Sequence, residues 1–198
     1  MAETRMQLLE PEAARQVLND FVAEAEQTPP LQTYQELQRL VRPEVTSALA
    51  SLILKTGRPP KYPQSGSLAV LEAKQGRRMV EGIVNKGCDA GDEPVSIYLA
   101  EFQRELFRFK RRRWVTLDVT GVNHGNGVDT GDEFYIPSLH SDDTIGFYRD
   151  ELGEHGSPRN GLELAGKAIR ERPRALNSFL TATAELTKQL VKTEAIVP

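Results

Sequence analysis

The chain has 198 residues, of which 39% are hydrophobic and 27% charged, and its formal net charge is −3. That length suits one compact core, and near-neutrality excludes the bulk basic character of a dedicated nucleic-acid binder, so any grip on phosphate must come from a local patch. Cys88 is the one cysteine, which excludes an internal disulfide and an all-cysteine zinc site and fits a reducing compartment. The opening MAETRMQLLEPEAARQ has no apolar core of a signal peptide. No stretch reaches the roughly 20 apolar residues of a membrane span. The expectation is a soluble cytoplasmic protein, or a virion component made in a cell, with no membrane partner.

In chain order, the first helix is predicted from Pro11 to about Glu26. Ala14, Val17, Leu18, Phe21, Val22 and Ala25 recur at helical spacing on one face, and proline is tolerated in a first turn, where its missing N–H is not needed. Thr28-Pro29-Pro30 stops it. A short helix follows from Thr33 with Leu37, Leu40 and Val41 inward, and a third runs from Glu44 to Lys55. TGRPPKYPQSGS, 56–67, reads as a loop, because proline disfavours helix at and before its own position.

Ser67 then reads as the N-cap of a helix to about Lys86, with Leu68, Leu71, Met79, Val80, Ile83 and Val84 as its stripe and Gly76 weakening the middle. Asp92 caps a predicted helix carrying Leu99, Phe102, Leu106 and Phe109. From Val115 the period changes to the alternation of a strand. GVNHGNGVDTGD, 121–132, reads as a polar connection, and EFYIPSLH, 133–140, as a second strand kept to an edge by Pro137. Helices are predicted again over 141–152, 162–171 and 174–192, the last with Leu176, Phe179, Leu180, Leu186, Leu190 and Val191 along one edge.

The expected fold is therefore mainly α with a small antiparallel β-hairpin (α+β), a helical bundle with a hairpin insertion around residues 114–140. It is a single domain over 1–198, with a helical N-terminal portion (1–56), a Pro/Gly-rich loop (57–66), helices plus hairpin (67–140) and C-terminal helices (141–198).

FQRELFRFKRRRW, 102–114, is the densest positive run. Arg104, Arg108, Lys110, Arg111, Arg112 and Arg113 offer guanidinium and ammonium groups to phosphates, and Trp114 or a neighbouring phenylalanine offers a ring to an unpaired base. The competing reading places the same cations at a helix C-terminus, where they complement the last carbonyls. A second basic element is Lys55 to Lys61, KTGRPPK. Gly57-Arg58-Pro59 between Lys55 and Lys61 resembles the core of an AT-hook, whose arginine lies in the minor groove of A/T-rich DNA. Thr56 stands where the hook has a cation. The same residues also form an ordinary proline-rich turn.

His124 and His140, with Asp129 and Asp132 between them, are the candidate metal ligands. Two imidazoles and a carboxylate leave an open position for water. Cys88 follows a predicted helix end and lacks an activating cationic setting. No GxSxG or GxxxxGK[ST] pattern occurs.

These features favour a non-enzymatic structural or assembly subunit without a cofactor, making homo-oligomeric contacts or joining a larger protein assembly, for example as a virion connector or coat protein. A nucleic-acid-binding module using the basic patch is the alternative. A metal-dependent hydrolase or oxygenase at the His124/His140 loop is the second.

Overall fold

The computed structural model describes residues 8–61, 66–86, 94–106, 108–119, 123–128, 135–139, 145–149 and 173–193. These form four helices, α1 (Pro11–Gln27), α2 (Tyr34–Leu40), α3 (Pro43–Thr56) and α4 (Pro173–Val191), and seven strands. The strands are β1 (Ser67–Gln75), β2 (Arg78–Lys86), β3 (Pro94–Glu105), β4 (Arg108–Asp118), β5 (Asn123–Val128), β6 (Tyr135–Leu139) and β7 (Ile145–Arg149). The first five make one antiparallel sheet in the order β1-β2-β3-β4-β5, and β6 pairs with β7. None of the described helices is long and apolar enough to cross a membrane.

The helical elements follow from local chemistry. Proline opens α1 and α3. Thr33 and Glu36 close a reciprocal capping box on α2, which satisfies two orphan donors at once. α3 is buried almost all round: Val45, Ala48, Leu49, Leu52 and Ile53 have no exposed surface. A helix apolar on every side belongs inside the fold, and α3 packs against both α1 and the sheet. Its buried polar residues tie it to distant segments: Ser51 Oγ accepts from Leu9 N at 2.9 Å, and Thr46 Oγ1 donates to Val119 O at 2.9 Å.

The mainly α expectation is overturned: the fold is α+β with a substantial sheet. Residues 67–86 are a hairpin rather than a helix. Gln75 pairs with Arg78, and Gly76 at φ +59° takes the first central position of the two-residue turn, where a type II′ hairpin favours glycine. In β2, Val80, Gly82 and Val84 face inward while their neighbours are less buried, a period of two that the paired apolar residues Met79-Val80 and Ile83-Val84 disguise as a helical stripe. The segment read as a helix from Asp92 is β3, where Ile97 and Leu99 are fully buried but Leu106 is 89% exposed. Strand character from Val115 onward is correct, yet the strand begins at Arg108 and pairs with Asn123–Val128, the segment read as a connection. Residues 145–149, read as helix, are β7. The expected strand at 133–140 corresponds to β6, with Pro137 paired to Phe147. The predicted helix at 162–171 lies outside the described residues.

One face of the sheet carries Leu71, Val80, Val84, Ile97, Leu99, Val115 and Leu117 into the core shared with α1, α3 and α4. The apolar edge of α4 is internal: Leu176, Leu186 and Leu190 have no exposed surface. Polar ties fix its position, with the Asn177 side chain bonding Leu31 N and O at 2.9 and 3.0 Å. Gly82 sets how closely the helices approach. A Cβ there lies 2.8 Å from Leu190 Cδ1 and 2.9 Å from Ile53 Cδ1. Replacing Gly82 with Val overpacks the centre of the core and lowers stability by about 1–3 kcal/mol, read as a drop in urea midpoint; an unchanged midpoint contradicts this packing.

Candidate nucleic-acid interface

The basic run sits in β4 and not at a helix end, so the dipole explanation for it is removed. In a strand successive side chains alternate between faces, and a register shift adds a further change: Glu101 pairs with Arg113 and Phe102 with Arg111, leaving Arg112 as the extra residue. Such a bulge re-aims the side chains around it. The consecutive cations therefore go to different places.

Arg113 turns to the helix-facing side. Its Nε donates to Glu101 Oε2 at 2.6 Å, and its Nη1 pairs with Glu185 of α4. Arg78 Nε reaches the other oxygen, Glu101 Oε1, at 2.5 Å. One carboxylate, 7% exposed as a residue, thus joins β2, β3 and β4, and through Arg113 it reaches α4. Arg112 Nη2 bonds Glu105 Oε1 at 2.6 Å. Arg111 lies on the outer face over the Trp114 ring, 4.2 Å from its centroid, and donates to Tyr98 OH at 3.1 Å. Trp114 itself is buried.

The remaining cations are differently placed. Arg104 and Arg108 are exposed and Lys110 is half-buried. Among the described residues these three have no ion pair, and neither does exposed Arg77. Arg77 belongs to the β1–β2 turn, and Arg104 N donates to Arg77 O at 2.8 Å, so the β1–β2 turn lies against β3 near its end. Gly76, Arg77, Gln103, Arg104, Glu105 and Leu106 line an open depression of about 710 Å³ there. Exposed Phe109 stands directly across from Arg104. Reading 67–86 as one helix hides Arg77; Gly76-Arg77 between two apolar runs was the available hairpin signal.

The AT-hook-like element is elsewhere. Arg58 makes both backbone bonds of an antiparallel bridge with Val70, at 2.8 and 2.9 Å, on the outer edge of β1. Its guanidinium pairs with Glu72 at 3.0 Å, and Lys55 pairs with Glu10 at 2.9 Å; Lys61 is exposed. Gly57 is required by close approach, since a Cβ there lies 2.4 Å from Ile53 O and 2.7 Å from Val70 O. β1 and β4 are separated by β2 and β3, about 14 Å at the usual strand spacing. The structure does not bring Lys55, Arg58 and Lys61 together with Arg108 to Arg113.

His124 lies on β5, whose backbone alone is described. Asp129, Asp132 and His140 lie outside the described residues, as do Cys88 and His155. Among the described residues no group of three His, Cys, Asp or Glu side chains converges to hold a metal.

Three carboxylates of the sheet have displaced titrations. Burial pushes Glu101 up, but the Arg78 hydrogen bond and the Arg113 charge outweigh it and hold the group below the usual carboxylate range. Glu72 follows the same pattern, with burial opposed by Arg58 and Lys74. Glu81, opposite Glu72 across β1 and β2, is raised by burial and then by the Glu72 charge. Its ionisation therefore costs stability as pH rises, the reverse of Glu101.

No family model, curated protein or solved structure matches this chain.

Because the Glu101 pKa is depressed on folding, its stabilisation is present above the ordinary carboxylate range and lost as pH falls through the folded value. Glu101→Gln is expected to lower stability by about 2–3 kcal/mol at neutral pH, since it leaves the largely buried Arg113 short of a counter-charge, and to flatten the acid limb of a plot of urea midpoint against pH. A loss of the same size at every pH contradicts the ionic clamp.

Proposed function

We propose that this chain is a non-enzymatic structural subunit that associates with copies of itself through the protruding end of the β3–β4 hairpin. The observation that carries this reading is Leu106. It is 89% exposed and has φ +32°. A non-glycine residue in the left-handed region is strained, and glycine or asparagine is the cheaper choice there. A large apolar side chain in water gives nothing back to the isolated chain. Strain at an exposed position points to a role in contact, and Phe109, 43% exposed, extends the apolar surface.

Support for assembly does not come from α4, whose apolar edge is occupied inside the fold. Among the described residues the exposed large apolar side chains are Leu8, Leu106 and Phe109, and the last two lie at the hairpin end. A contact centred on an aliphatic side chain is hydrophobic in origin and resists salt, unlike one made by exposed charges.

The experiment is light-scattering mass across a concentration series, at low and high salt, for the native chain and for Leu106→Asn. Asparagine tolerates the left-handed region, so the variant is expected to melt at the same temperature or higher while shifting to monomer. A native chain that is monomeric throughout, or an oligomer that ignores the substitution, rules out this surface.

A further inference from the structure

We infer that the turn end of the outer sheet face binds single-stranded nucleic acid, with Arg77 and Arg104 on phosphates and Phe109 stacked on a base. This goes beyond self-association: Phe109 borders both surfaces, while Arg77 and Arg104 belong to this one and Leu106 to the other.

The register puts Phe102, Arg104, Phe109 and Arg111 on the face away from the helices: Phe102 is opposite Arg111, and Arg104 is opposite Phe109. Directly opposed residues have Cβ atoms about 5 Å apart. An exposed ring thus lies beside an exposed guanidinium on a flat antiparallel surface. Sequence-tolerant single-strand binders combine these two groups, because every base has a π face and every linkage a charge. Arg77 lies at the same end of the sheet: its carbonyl accepts from Arg104 N, and both residues line the open depression. Among the described residues nothing lies within 4 Å of a Cβ built on Gly76, so the turn is open on that side.

Charge defines the extent of the site. Arg112 and Arg113 are neutralised by Glu105 and by Glu101 with Glu185, and Arg58 by Glu72. Arg77, Arg104, Arg108 and Lys110 have no ion pair among the described residues. Arg108 and Lys110 alternate toward the other face, opposite Glu105 and Gln103, and add positive potential at the rim. Glu72 and Glu81 lie further along the outer face, which confines an anionic strand to the turn end; among the described residues Glu105 is the one carboxylate lining the depression. Duplex DNA fits less well, because its bases are stacked on each other and leave Phe109 without a partner.

The test is fluorescence anisotropy of a labelled, mixed-sequence single-stranded oligonucleotide with the full chain at about 50 and 200 mM salt. Binding is expected to weaken steeply with salt. Arg77→Gln and Arg104→Gln should each flatten the log–log salt slope by about 0.7, the value for one lost contact to a single strand. Phe109→Leu keeps a strand-forming apolar residue and should weaken binding about tenfold, at the scale of one lost stack, without changing the slope. Urea midpoints of all three variants should match the native chain. Lys61→Gln, beyond the β1 edge of the sheet, should leave binding intact, which confines the site to the turn end. No binding at the lower salt overturns the inference, as does binding that none of the three variants alters. Inorganic polyphosphate bound as tightly as the oligonucleotide, with Phe109→Leu silent, also overturns it in favour of a general anion site. Capture by anionic vesicles that is lost in Leu106→Asn, with no oligonucleotide binding, overturns it in favour of a lipid surface.

Discussion

The structure depends on covering one face of an antiparallel sheet with a helix that has no exposed side of its own. α3 lies between α1 and the sheet, and its buried residues reach strands and helix alike. That arrangement works because Gly82 leaves room where Ile53 of α3 and Leu190 of α4 meet the sheet. A Cβ at that point must displace the ends of the Leu190 and Ile53 side chains, and interiors packed to crystal density absorb larger additions poorly. Hydrophobic burial supplies the driving force, but the glycine fixes the distance at which it is realised.

At one end of the same face the packing turns ionic. Glu101 takes a position in line with Ile97 and Leu99, where an apolar residue would be expected, and holds Arg78 and Arg113. Arg113 extends the contact to Glu185 on α4. A pair of this kind adds little net stability over apolar residues of the same size, yet loss of one member is costly. Its value here lies in position: it fixes which cations of the basic run point inward. The outward cations with no ion pair among the described residues, Arg104 with Arg77 beside it, stand on a strand and its adjoining turn. The exposed hairpin end therefore combines an apolar tip with a charged flank on a stable support, and the two functional proposals separate along that division.

Much of the helical half was legible from the amino-acid order. Pro11, the helix start at Thr33 and the spacing of Leu176 to Leu190 are local signals, and local signals survive folding. The sheet was not legible, for identifiable reasons. Doublets such as Met79-Val80 and Ile83-Val84 match a helical stripe and a strand with partial burial on both faces. Strand preference depends on neighbours that are distant in sequence, so GVNHGNGV gave no strand signal on its own. The basic run was visible, but its division was not, because pairing with Glu101, Glu105 and Glu185 is set by register and a bulge. Leu106 falls in an apolar stripe at helical spacing for the same reason: a helix there hides the turn.

The most direct test of the account is the conformation of residues 94–118 in solution, measured by backbone NMR. The account predicts strand-type carbon shifts on both sides of a turn near Leu106, with cross-strand NOEs linking Leu99 to Val115 and Glu101 to Arg113. Helical shifts and sequential amide–amide NOEs continuing through 94–106 would contradict it, return the cations to a helix end, and remove the surface on which both functional proposals stand.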